Sequence, residues 1–169
     1  MSLESVPEAL LNTTNEHCFE SCLGMTLAHY KKLGNLGLED IVAAVSRPGE
    51  EFTPMARTFE WLNNFGLQVE YIEKEDENNT DFLTSLREAG TIIRPVSPTT
   101  AIAIQLANEG KALISQVSYE GGEPDHAIFL AEDDDTGVLL LDPNGMEFGT
   151  SSLEGIWGRY PNLISVDKK

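Results

Sequence analysis

The sequence predicts an α+β fold, with helices first along the chain and an antiparallel sheet last. Two patterns carry this prediction. Apolar residues recur at helical spacing through much of the N-terminal part, whereas short apolar runs between turn-rich loops follow from Ala112 onward. The 169 residues contain no repeat and no low-complexity linker, so we expect a single domain over residues 1–169.

The main helical pattern runs from Asn15 to Gly34. Asn15 is a suitable N-cap, because its side-chain carbonyl can accept a backbone N–H of the first turn. Leu23, Leu27 and Tyr30 recur at i, i+4 and i+7 and predict one buried face. Gly34 predicts the end of the helix, since glycine readily adopts the left-handed conformation that terminates many helices.

The other elements follow from the same signals in chain order. Caps and apolar spacing predict further helices over residues 5–11, 37–46, 53–64, 80–90, 99–110 and 153–157. Apolar and β-branched runs predict strands over residues 67–72, 92–93, 112–117, 127–131, 138–141 and 163–166. The helices therefore dominate the first part of the chain and are expected to pack on a C-terminal antiparallel sheet.

The formal net charge of -17 argues against nucleic acid and anionic membranes, both of which require a basic face. A basic substrate or partner would suit this charge, although a surface that serves only solubility is the simpler interpretation. No run reaches the ~18 apolar residues of a membrane span, and the N-terminus lacks the pattern of a signal peptide. We therefore expect a cytoplasmic protein.

The chain has two cysteines, Cys18 and Cys22. Cys18 falls in the first turn of the main helix, where the positive end of the helix dipole and unpaired N–H groups favour a thiolate over a thiol. A free cysteine is also commonly a small buried residue, and Cys22, one turn later, is expected to serve packing alone. A disulfide between them is geometrically poor. Cys18 is therefore a candidate nucleophile.

A cysteine nucleophile needs a base and a third group that orients the base. His17 does not face Cys18 on a helix, and His29 lies ~16 Å further along it, which leaves His126 of the three histidines. Asp142 follows His126 by sixteen residues, so a hairpin would return its carboxylate to the imidazole. A histidine alone would more often be a core residue, but the combination matches the Cys-His-Asp arrangement of papain-like enzymes.

Two motifs suggest a family. The stretch C-F-E-S-C-L-G-M-T-L-A-H-Y, which starts at Cys18, matches the helix pattern C-G-x-x-x-L-x-M-x-L-x-Y-Y, and His126 is followed at the expected distance by Asp142-Pro143. Over residues 12–144 or so, the chain thus resembles the C39-like branch of papain-fold cysteine peptidases. The resemblance implies a papain-like fold and a stand-alone C39-like domain, with Cys18 as nucleophile, His126 as base and Asp142 as its orienting carboxylate.

The sequence departs from the family at two positions beside the thiol. Family members carry a glutamine six residues before the nucleophile, whose amide helps to form the oxyanion hole; here that residue is Asn12, and Asn15 is a second candidate amide. The glycine that usually follows the nucleophile is replaced by Phe19, which is expected to crowd the substrate cleft. The resemblance thus leaves two possibilities: an active enzyme, or a non-catalytic papain-fold binding or regulatory protein with a degenerate oxyanion hole.

The sequence therefore predicts a cysteine peptidase, amidase or related acyltransferase that acts on a peptide or other amide, for which a basic peptide would suit the charge. We expect no metal or organic cofactor, because Cys18 and Cys22 lack zinc-like spacing. C39-like domains often cleave leader peptides after a double glycine as part of a transporter. This chain carries no transmembrane or nucleotide-binding segment, so that role is not expected here.

Overall fold

The computed structural model describes residues 7, 10, 16–50, 54–123, 125–133, 137–149 and 153–169, with only the backbone described at 132, 133, 137 and 146–149. The helices are α1 Cys18–His29, α2 Leu38–Val45, α3 Met55–Asn63, α4 Thr80–Glu88, α5 Thr100–Asn108 and α6 Leu153–Ile156. The strands are β1 Leu67–Ile72, β2 Ile92–Arg94, β3 Ala112–Val117, β4 His126–Asp133, β5 Gly137–Asp142, β6 Met146–Gly149 and β7 Leu163–Lys168.

The strands form one sheet in the order β2-β1-β7-β3-β4-β5-β6. Neighbouring strands are antiparallel except for β1 and β2, which pair in parallel. The last strand, β7, lies between β1 and β3, where Leu163 to Val166 are buried without alternation, as a central strand covered on both faces requires. The predicted α+β class is confirmed. The parallel pair and β6 were not expected.

Helices cover both faces of the sheet. Ala127 and Phe129 of β4 pack in a core with α1, whereas Ile128 and Leu130 pack in a second core with α5. Successive side chains of a strand point to opposite faces, so this one strand contributes to two cores. The expected layer of N-terminal helices is the α1 to α4 side, and α5 and α6 form a further layer on the other face.

Helix α1 lies at the centre of the first core. All residues from Phe19 to Leu27 are buried, so the single apolar stripe predicted from spacing was too narrow. The helix begins at Cys18 with His17 as N-cap, and the expected cap at Asn15 was wrong. Asn15 itself lies outside the described residues, as does most of the predicted helix over 5–11.

The C-terminal end of α1 also differs from the prediction. The helix ends at His29 because Lys31 adopts a left-handed conformation with φ 56°, and Gly34 lies beyond the end. The N–H groups of Lys31 and Lys32 donate to the carbonyls of Ala28 and Leu27, which is the Schellman pattern of helix termination. By contrast, the predicted start of α5 at Thr99 or Thr100 is confirmed, and Thr99 is the cap, since its side chain accepts a hydrogen bond from the N–H of Ile102 at 3.2 Å. No helix in the described parts of the chain has the length and apolar character needed to cross a membrane.

Candidate active site

Cys18 is the first residue of α1 and is partly buried beside the first core. It therefore lies at the end of the helix where backbone N–H groups and the positive end of the dipole favour negative charge. Helix α1 packs directly on β4, the strand that begins with His126. The burial of the helix on nearly all sides fixes the thiol relative to the sheet.

His126 and Asp142 are brought together by the β4–β5 hairpin. The register pairs Phe129 with Leu141, so the hairpin returns Asp142 to the end of the sheet where β4 begins with His126. His126 Nε2 lies 2.9 Å from Asp142 Oδ1, and the two side chains are 10% and 0% exposed. The sixteen-residue separation noted in the sequence thus corresponds to a direct contact.

Cys18 completes the cluster through a side-chain hydrogen bond with His126. Because Nε2 of the imidazole faces Asp142, Nδ1 is the ring nitrogen left for the thiol. The three residues therefore form one chain of contacts, from a helix N-terminus to a strand start to the end of the neighbouring strand. The order thiol, imidazole, carboxylate is the order that activation of a thiol requires.

Burial and the neighbouring groups have opposite effects on the protonation of His126 and Asp142. Burial of the imidazole disfavours its protonated form, but Asp142 and Cys18 outweigh burial and raise the pKa of His126 from 6.5 to about 9. Burial also opposes ionisation of Asp142, yet hydrogen bonds with His126, Tyr119 and the N–H of Asn144 lower the pKa of that carboxyl below its usual value. Both shifts favour an imidazolium held beside a carboxylate at neutral pH.

Cys22 has a different environment. Its side chain is fully buried in the first core, and burial together with nearby negative charge raises the pKa of this thiol well above its usual value. Phe19 is also a core residue, only 9% exposed and packed within the first core. The expectation that Phe19 crowds a substrate cleft was therefore wrong, because its side chain is turned into the protein interior.

Tyr119 contacts the site and was missed by the sequence reasoning. Its hydroxyl donates to Asp142 Oδ2 at 2.6 Å, and its ring centroid lies 5.5 Å from that of His126. Tyr119 follows β3 in the loop that leads to His126, where no periodicity or motif assigns a direction to a side chain. The sequence around Tyr119 therefore does not predict its contact with His126 and Asp142.

The predicted oxyanion donors, Asn12 and Asn15, lie outside the described residues, so their role stays a prediction. Within the described parts of the chain, no group of three or more His, Cys, Asp or Glu side chains is arranged to hold a metal ion.

A groove of about 470 Å³ lies on the surface near the start of β4. Its lining combines apolar or aromatic side chains with two carboxylates, namely Met55, Tyr71, Phe82, Tyr160, Glu73 and Glu123. Gln116, which pairs with Ala127 next to His126, also lines it, and Glu123 lies three residues before His126. The groove is therefore lined in part by the end of β3 and by the loop that leads to His126.

The sequence matches no family model and no curated protein. The fold, however, is similar to the crystal structure of a double glycine motif protease from an AMS/PCAT transporter in complex with the leader peptide, at a TM-score of 0.57 and 12% sequence identity. The similarity covers 94% of this chain and 89% of that chain. At this identity it shows the fold, and the papain-like architecture predicted from the sequence is confirmed.

Proposed function

We propose that this protein is a C39-like cysteine peptidase in which Cys18 is the nucleophile, His126 the general acid and base, and Asp142 the orienting carboxylate. The observation that carries the proposal is the continuous contact from the Cys18 side chain through His126 to Asp142, with Nε2 2.9 Å from the carboxylate. A structural role alone would not require an imidazole between a helix N-terminal thiol and a buried carboxylate.

In the proposed reaction, the Cys18 thiolate attacks the carbonyl carbon of an amide, and a C–S bond forms as the carbonyl oxygen becomes an oxyanion. The Cys18 N–H, with the side chain of Asn12 or Asn15, would stabilise that oxygen. His126 enters as the imidazolium, since its pKa is about 9, and donates its proton to the leaving amine as the C–N bond breaks. It then takes a proton from water, which hydrolyses the thioester and restores the thiolate.

A peptide is the substrate class that we propose. In support, the fold neighbour is a protease with a leader peptide bound, and this chain has a largely apolar groove whose lining includes Gln116, the strand partner of Ala127 next to His126. The carboxylate of Glu73 in the groove accepts hydrogen bonds from two neutral donors, the Tyr71 hydroxyl at 2.5 Å and the Asn79 amide at 2.9 Å. Glu123 also lines the groove, and its exposed pairing with Arg159 at 3.7 Å is weak, so with a net charge of -17 the groove would favour a peptide that carries a basic side chain beside apolar residues.

Alkylation tests the nucleophile without knowledge of the substrate. At pH 7, iodoacetamide should modify Cys18 much faster than the buried Cys22, as read by peptide mass spectrometry. His126→Ala should slow the modification of Cys18 about tenfold or more, because the thiolate loses its cationic partner. Equal, slow modification of both cysteines, unaffected by His126→Ala, would contradict the proposal.

Hydrolysis of a peptide library tests the reaction itself. The wild type should cleave peptides, Cys18→Ala should abolish cleavage, and the matched Cys22→Ala variant should retain it. Peptides with Lys or Arg beside apolar residues should be preferred, and Glu123→Gln should raise KM for them while kcat is little changed. A different result would contradict the proposal: the wild type cleaves no peptide, and Cys18→Ala binds the peptides as tightly as the wild type does. The protein would then be a papain-fold peptide-binding protein.

A further inference from the structure

Tyr119 contacts both His126 and Asp142. Its side chain is 47% exposed, whereas those of His126 and Asp142 are 10% and 0% exposed. The phenol hydroxyl donates to Asp142 Oδ2 at 2.6 Å while the ring lies against the imidazole, with centroids 5.5 Å apart. One side chain therefore contacts both members of the pair and is the most exposed of the three.

We propose that Tyr119 is a positioning residue of this site, which holds the Asp142 carboxylate so that Oδ1 faces His126. The consequence for catalysis depends on the proposed function, but the effect on the imidazole and the thiol does not.

The hydrogen bonds of the carboxylate explain why the hydroxyl matters. Oδ1 faces His126 Nε2 at 2.9 Å and accepts the N–H of Asn144 at 2.8 Å. Among the described residues, Tyr119 is the donor to Oδ2. Because Asp142 is fully buried, loss of this donor would leave a charged oxygen unsatisfied, and the carboxylate would turn toward water and away from His126.

The loop that carries Tyr119 is held by the last residue of α6 and by the segment that follows this helix. The N–H of Ser118 donates to Ile156 O at 2.8 Å, and the N–H of Arg159 donates to Gly122 O at 2.9 Å. Gly158 packs so closely on this loop that a Cβ there would lie 2.3 Å from Gly122 O. Tyr119 is thus presented from an anchored loop although its own side chain is half-exposed, which is what a positioning role requires.

The titratable groups that contact the His126 imidazole in the described structure are Cys18 from α1, Asp142 from β5 and Tyr119 from the β3–β4 loop. A weaker contact with Asp142 reduces the support of the imidazolium, and a less stable imidazolium gives less support to the Cys18 thiolate. The expected readout is therefore a displacement of the pH at which Cys18 becomes reactive.

The test compares the pH dependence of iodoacetamide alkylation of Cys18 in the full chain for wild type, Tyr119→Phe and Tyr119→Leu. Tyr119→Phe keeps the ring and removes the hydroxyl, so the alkylation rate at pH 6 should fall about tenfold. Tyr119→Leu also removes the ring and should slow alkylation further. Tyr30→Phe, which removes a hydroxyl that donates to Val166 O at the opposite end of α1 from Cys18, is the matched control and should leave the profile unchanged.

A thermal melt separates positioning from folding, since the half-exposed Tyr119 ring is kept and loss of one hydrogen bond should lower the Tm of Tyr119→Phe by only a few degrees. An alkylation profile of Tyr119→Phe that superimposes on that of wild type, or shifts to lower pH, would overturn the inference. For an active peptidase, kcat of Tyr119→Phe should fall with KM unchanged. Absence of cleavage by the wild type would refute the proposed function and leave the alkylation comparison as the test of Tyr119.

Discussion

The replacement Asp142→Asn tests the electrostatic basis of the site directly. In the wild type, burial of His126 favours the neutral imidazole, and the carboxylate 2.9 Å away is the strongest of the influences that favour the imidazolium. Asparagine has the same shape but no charge. The variant therefore removes the support for the imidazolium while burial remains.

The magnitude follows from the geometry. An opposite charge within 4–6 Å typically shifts a pKa by about 1 to 3 units, and exposures of 10% and 0% leave this pair little screened by water. The pKa of His126, about 9 in the wild type, should therefore fall by about 1 to 3 units in Asp142→Asn. Since one pKa unit corresponds to ~1.4 kcal/mol, the pair would lose ~1–4 kcal/mol of preference for the charged form.

The assay is an NMR titration of the imidazole carbon-bound protons between pH 5 and about pH 10. The chain has three histidines, so His17→Asn and His29→Asn variants suffice to assign the His126 resonance. Asp81→Asn, an exposed change of the same kind on α4, is the control and should leave His126 unchanged. A His126 resonance that titrates at the same pH in wild type and Asp142→Asn would refute the electrostatic reasoning.

Three further replacements test the packing around the site. Cys22→Ala should cost about 1–2 kcal/mol of stability in denaturant unfolding and leave alkylation of Cys18 unchanged, because Cys22 is a buried packing residue; loss of Cys18 reactivity would contradict this. Gly158→Ala should destabilise the protein by about 1–3 kcal/mol, since its Cβ would meet Gly122 O at 2.3 Å; a melt identical to wild type would show that the loop can move aside. Trp157→Phe should cost about 1–2 kcal/mol through loss of the 2.6 Å bond to the Ser115 hydroxyl, and an unchanged unfolding midpoint would argue that this bond adds nothing to stability.

Part of the fold was readable from local signals. The Thr99 cap, the strand over 67–72 and the β4–β5 hairpin depend on interactions between residues near in sequence, and the structure has all three. The contact between His126 and Asp142 could also be predicted from the sequence, because a hairpin fixes the register of residues that are sixteen apart. The end of α1 was misplaced because Lys31, a residue with no strong preference for φ 56°, takes the left-handed position that glycine usually occupies.

The sequence by itself thus determined the α+β class, the cysteine at a helix N-terminus, and the histidine and aspartate that face each other across a hairpin. Periodicity, caps and hairpin spacing act over a few turns or strands, so they report these features. Only the tertiary structure decided that β7 inserts between β1 and β3, that helices cover both faces, and that Tyr119 contacts both His126 and Asp142. These depend on packing between segments far apart in the chain, where the direction of a loop side chain is set by what it meets in space.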